Sequence, residues 1–112
     1  MSGDGTGREE TLRRFGEAVN MTAGELEEWL GTEESRGAGQ TDGSGESVGH
    51  ASGRRIVDLL RTKEPDLTDD DLAHMRKVVG YVHRHLAQRP EGDVTDTRWR
   101  HSLMNWGHDP TK

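Results

Sequence analysis

Apolar residues are spread thinly along this chain, and where they gather they recur three and four positions apart. Leu12, Phe15 and Val19 fall on one helical face. That spacing predicts a short helix from about Glu9, interrupted at Asn20. Thr22, Ala23, Gly24 and Glu25 follow with capping-box spacing, the hydroxyl set to accept from the N–H three residues on and Glu25 set to reach back. Leu26, Trp29 and Leu30 then form the apolar face of a second helix that stops at Gly31. Further on, Ser52 is placed to cap a third helix whose stripe is Ile56, Val57, Leu59 and Leu60 and which ends at Pro65.

The clearest periodicity comes next. Thr68 precedes three aspartates, Asp69, Asp70 and Asp71, which suit the positive end of a helix dipole. Leu72, Met75, Val79, Val82 and Leu86 alternate by three and four, widened by Val78 and Tyr81. This fourth helix runs to about Arg89, before Pro90. A last short helix carries Trp99, Leu103 and Trp106 and ends at Gly107. No strand pattern appears. The expectation is an all-α fold, a small bundle of four or five short helices.

The polar stretches divide the chain. Residues 1–8 are rich in Gly, Ser and Thr and are expected to be disordered. Residues 9–34 carry the acidic N-terminal helices. Residues 35–51 hold five glycines and read as a linker or long loop. Residues 52–108 form the expected helical core and 109–112 a tail.

Composition narrows the class. Leu, Ile, Val and Phe make up 18 of 112 residues, under the roughly 20% below which chains are suspected of disorder. A net charge of −6 is too modest to force wholesale disorder. Cysteine is absent, so disulfides and cysteine-ligated zinc are excluded. No apolar run suits a signal peptide or a membrane span, and the expected location is the cytoplasm.

The charge is uneven. Residues 1–50 carry 4 Arg/Lys against 11 Asp/Glu, while residues 51–112 carry 11 against 10. From Leu72 to Arg89 there is no acid at all. Positive charge is therefore local. Arg54 and Arg55 stand beside an expected helix start at Ser52, where free N–H groups and guanidinium forks suit a phosphate. Arg76, Lys77 and Arg84 lie on the acid-free helix, and Arg98 and Arg100 flank Trp99. These seven residues are the candidate DNA contacts. The competing reading pairs them with the acidic front half and with Asp58, Asp69, Asp70, Asp71, Asp96 and Asp109.

Trp99 and Trp106 are candidate interaction residues, able to stack a base or anchor a partner. Their commoner role is a core aromatic with arginine stems across it. His83 and His85 are two apart and diverge on a helix, so no chelate forms there. Among catalytic motifs, GxSxG, the phosphate-binding GxxxxGK[ST] loop and HExxH are all missing. No catalytic residue, metal, cofactor or small-molecule substrate is inferred.

Four blocks carry a family resemblance: VNMTAGELEEWL, GHASGRRIVDLL, HMRKVVGYVHRHLAQRP and DTRWRHSLMNWGHDP. They resemble a small group of actinobacterial proteins catalogued as domain of unknown function 3140. The likeness runs from about Phe15 to Lys112 and is loose only over 36–47. Some members carry the label DNA-binding protein, but the resemblance brings no functional residues with it. The leading expectation is a small non-enzymatic binding protein that contacts DNA through the seven cations. The alternative is a protein-interaction or homo-oligomeric module, with the stripe of the fourth helix as its seam.

Overall fold

The structure is a computed structural model that describes residues 3–38 and 48–112 and, for 3–6, the backbone alone. Among these residues it is all-helical, with six α-helices and one 3-10 turn. They are α1 (Gly3–Ala18), α2 (Ala23–Leu30), α3 (Glu33–Gly37), α4 (Val48–Arg61), α5 (Asp69–Leu86) and α6 (Arg98–Asn105), with the 3-10 turn at Glu64–Asp66.

The capping residues decide where several helices begin. Thr22 accepts from the Glu25 N–H at 3.1 Å, and Glu25 accepts from the Thr22 N–H at 2.9 Å. Thr68 and Asp71 repeat the same reciprocal pair at the start of α5. Thr32 starts α3, just past the expected stop at Gly31, by accepting from the Ser35 N–H at 3.2 Å. Thr97 does the same for α6 at 3.2 Å.

α4 ends at Arg61, ahead of the expected stop at Pro65, α5 ends at Leu86 and not near Arg89, and three further boundaries differ from expectation. First, α1 begins at Gly3, well ahead of Glu9. Second, α4 begins at Val48, so Ser52 and Gly53 lie inside the helix instead of opening it. Third, both ends of the expected linker 35–51 are helical, through α3 and the first turn of α4, while 39–47 lies outside the described residues. The reason for the second difference is packing. A Cβ on Gly53 would sit 2.5 Å from the Asn105 carbonyl oxygen and 2.7 Å from Leu30 Cδ2. One on Gly49 would sit 3.1 Å from Trp106 Nε1. Glycine four residues apart makes a flat strip along α4 against which α2 and α6 close. It serves tight helix packing, not chain flexibility.

Phe15, Val19 and Met21 share one apolar cluster with Leu26, Leu30, Ile56, Met75, Val78, Val82, Leu103 and Trp106. Leu26, Ile56, Val78 and Leu103 are fully buried. Each buried side chain of this size contributes roughly 1.5–3 kcal/mol relative to exposure. The α5 stripe Leu72, Met75, Val79 and Val82 is consumed inside this core. Among described residues only Val48 and Leu60 are large and apolar yet exposed.

Polar groups lock the layers together. Asn105 is 1% exposed. Its Oδ1 accepts from Trp29 Nε1 at 2.8 Å and from the Ser35 hydroxyl, and its Nδ2 donates to the Ser35 carbonyl at 2.9 Å. At the far end, Gly107 adopts φ +82°, a conformation glycine tolerates, and its carbonyl accepts from the N–H groups of Asn20 and Met21. No described helix is long and apolar enough to cross a membrane.

Candidate functional site

The fold sorts the seven candidate cations into engaged and open groups. Arg55 donates to Asp70 at 2.8 Å and to Asp71 at 3.3 Å. The Asp70 hydrogen bond, opposed by burial and joined by Asp71, raises its pKa further. Arg100 holds both oxygens of Asp109 at 3.2 Å and donates to the Thr95 carbonyl at 2.9 Å. Burial works against the Asp109 carboxylate, yet Arg100 and the N–H and hydroxyl of Thr111 hold its pKa down at about 2. These two arginines are structural ion pairs. Arg76 Nε reaches Thr11 Oγ1 at 3.1 Å, tying α5 to α1, but the residue stays exposed. Arg54 is exposed on α4, nearly two turns inside the helix, so the free N–H groups expected beside it at Ser52 are absent. Arg98 is exposed at the first residue of α6.

Lys77 and Arg84 make no hydrogen bond or ion pair among the described residues. They stand on the outward face of α5, together with Arg76 and His83. At about 100° per residue, Ala73, Gly80 and Ala87 form the midline of that face. Arg76 and His83 follow one side of it and Lys77 and Arg84 the other. The Arg84 guanidinium folds toward Gly80, its Nη1 3.1 Å from where a glycine Cβ would be. From Leu72 to Ala87 nothing acidic interrupts the face.

A cleft of about 460 Å³ opens on each side of this ridge. One lies toward α1 and is lined by Glu10, Thr11, Arg14, Arg76 and His83. The other lies between α4, α5 and α6, bounded by Val48, Gly49, Lys77, Tyr81, Arg84 and Trp106, with Ser102, Asn105 and His85 completing it. Sequence reasoning missed this second cleft because Gly49 was assigned to a linker. The readable signal was the four-residue spacing of Gly49 and Gly53.

The aromatic residues are internal. Trp99 is 8% exposed and Trp106 is 4% exposed. They take part in a column of near-parallel rings: His74, Trp106, Tyr81, His85 and Trp99, with interplanar angles of 14–18°. Tyr81 and Trp106 are the tightest pair, at 4.2 Å between centroids. Arg89 covers the outer face of Trp99 at 5.4 Å. Burial lowers the pKa of His74 and of His85 and raises that of Tyr81.

Ser52 Oγ lies 2.9 Å from His74 Nε2, a nucleophile–base distance. Ser52 is 5% exposed within α4, where helical N–H groups are already bonded. The pair therefore has no access for a substrate and no oxyanion donor. Among the described residues no three His, Asp or Glu side chains come together to hold a metal.

The chain belongs to the family described as Protein of unknown function (DUF3140), whose model matches residues 14–104. That span takes in the end of α1, all of α5 and most of α6. No curated protein and no solved structure matches it.

Proposed function

We propose that the protein is a small, non-enzymatic binding module that lays the outward face of α5 against a nucleic-acid duplex. One observation carries this reading: Arg76 and His83 on one side and Lys77 and Arg84 on the other straddle a midline of Ala73, Gly80 and Ala87. A helix entering the major groove needs cations on both flanks for the two phosphate strands and small residues where it approaches the groove floor. The i, i+7 spacing separates the cations of each row by about 10 Å along the axis.

The proposed contact set is thus narrower than the seven cations taken from sequence. Arg55 and Arg100 already spend their donors on aspartates. The net charge of −6 gives no long-range attraction for DNA. Binding then depends on the local face and is strongly salt-dependent. The alternative of self-association through the α5 stripe has less support, because Leu72, Met75, Val79 and Val82 face inward.

The test is a titration of fluorescently labelled duplex at two salt concentrations, with the wild type and a Lys77→Ala/Arg84→Ala variant. The proposal expects binding that weakens steeply with salt and is reduced by the double substitution. Absence of a complex at low salt overturns it.

A further inference from the structure

The cleft between α4, α5 and α6 has a property that the nucleic-acid reading does not use. Trp106 is 4% exposed, so it is a core side chain. Its Nε1–H nevertheless has no acceptor among the described residues. The two other indoles are satisfied: Trp29 donates to Asn105 Oδ1 at 2.8 Å and Trp99 to the His85 carbonyl at 2.6 Å. Among the described residues the one sealed side-chain polar atom without a partner is His85 Nε2, so the Trp106 N–H keeps contact with the cleft that Trp106 lines. It lies beside Gly49, on the cleft wall, 3.1 Å from where a Cβ would be. Glycine there leaves the donor uncovered.

The rest of the cleft complements this donor. Lys77 and Arg84 stand on the same wall two turns apart, with Tyr81 between them. Tyr81 and Ser102 line the cleft together. Asn105 has spent its side chain on Trp29 and Ser35. Lys77, Arg84 and the Trp106 N–H are free donors, two of them cationic, the His85 ring and the Ser102 hydroxyl complete the polar lining, and none of the described lining residues carries a carboxylate. Val48, 50% exposed, and the edges of Tyr81 and Trp106 supply an apolar wall. The volume of about 460 Å³ falls within the range of small-ligand sites.

We infer that this cleft is a binding site for a small organic anion with a flat apolar body, of the aromatic-carboxylate class. The carboxylate accepts from Trp106 Nε1–H and sits between Lys77 and Arg84, while the ring lies against Val48 and Tyr81. A carboxylate accepts from several donors at once, and bonds to charged donors are the stronger kind. The inference does not depend on α5 contacting nucleic acid. A protein that binds no duplex can still hold the anion.

The experiment follows the indole N–H resonances of ¹⁵N-labelled full-length protein during titration with 2-naphthoate. Uncharged 2-naphthalenemethanol and inorganic phosphate are run beside it. The expected result is a saturable shift of the Trp106 indole, with Trp29 and Trp99 nearly still. Both comparison probes should bind at least about tenfold more weakly, the worth of one charge-assisted hydrogen bond. Trp106→Phe keeps a ring in the stack but removes the donor, and should weaken 2-naphthoate about tenfold. Its fold is checked by the unchanged Trp29 and Trp99 resonances and its binding by Tyr81 ring shifts. Gly49→Ala, which covers Nε1, is the second variant and should weaken binding at least as much. A Trp106 resonance that does not move, a neutral probe that binds as well as 2-naphthoate, or phosphate that binds as well, overturns the inference.

Discussion

Trp29 donates its indole N–H to the side-chain oxygen of Asn105, 2.8 Å away and 76 residues along the chain. This bond joins the acidic front half to α6 in the nearly neutral back half. Asn105 also serves Ser35 twice, so one buried amide fixes α2, α3 and α6 together. Replacing it by Leu leaves the Trp29 N–H and the Ser35 hydroxyl without partners and the Ser35 carbonyl with the Ala38 N–H alone. Unsatisfied buried groups cost about 1–3 kcal/mol each, so Asn105→Leu should lose about 3 kcal/mol or more of stability. Urea unfolding followed by tryptophan fluorescence measures this, and a loss under 1 kcal/mol contradicts the assignment.

Two glycines should respond in opposite directions to the same substitution. Gly53→Ala places a methyl 2.5 Å from a backbone oxygen, which cannot move without shifting α6. It should destabilise by about 1–3 kcal/mol or more, as overpacking does. Gly16 is exposed within α1 and a Cβ there meets nothing within 4 Å. Gly16→Ala should stabilise by about 0.5–1 kcal/mol through helix propensity alone. Thermal melting of the two variants against wild type reads both signs.

Acid should weaken the fold in two stages. Burial lowers the pKa of His74 and of His85, so the unfolded chain binds protons more readily than the native one. Their contribution is therefore present above the ordinary histidine value of about 6.5 and is lost as pH falls below it. His85→Phe keeps the ring between Tyr81 and Trp99 and removes a buried nitrogen that has no partner. Melting temperature between pH 7.5 and 5 should fall less steeply in this variant than in wild type.

The second stage belongs to Asp109. Its carboxyl is held at about 2 against an unfolded value of 3.8. That stabilisation is complete above the unfolded value and disappears as pH falls toward 2. The shift corresponds to about 2 kcal/mol. Asp109→Asn should destabilise by a similar amount at neutral pH and reduce the acid-dependent loss between pH 4 and 2, leaving the smaller share of Glu25, Glu27, Asp71 and Asp93. Denaturant unfolding across that range measures both effects.

Much of the helical architecture was legible in the sequence, and specific residues explain why. Thr22 with Glu25 and Thr68 with Asp71 are local devices, complete within four residues, and both capping boxes form as spaced. The α5 stripe is periodic enough to show its buried face. The start of α4 was not legible, because Gly49 and Gly53 owe their identity to Asn105, Leu30 and Trp106, which are distant in sequence. The competing reading, which pairs the arginines with Asp70, Asp71 and Asp109 among other carboxylates, holds for Arg55 and Arg100. Composition counts charges, but only the fold sets Arg55 against Asp70 and Asp71 and leaves Lys77 and Arg84 open. The second cleft depends on three helices meeting, and its local sign is limited to the four-residue spacing of Gly49 and Gly53.

The central claim concerns the outward face of α5, and the salt dependence of duplex binding tests it most directly. Affinity for a labelled duplex should be measured from 25 to 200 mM salt for wild type, for Lys77→Ala/Arg84→Ala, and for Arg13→Ala/Arg61→Ala. The last variant removes the same charge from exposed arginines already paired with Glu17 and Glu27. Loss of two phosphate contacts should reduce the log–log salt slope by about 1.8 in the α5 variant. The control should keep the wild-type slope. Equal losses in both variants, or no binding by the wild type at 25 mM salt, would contradict the account.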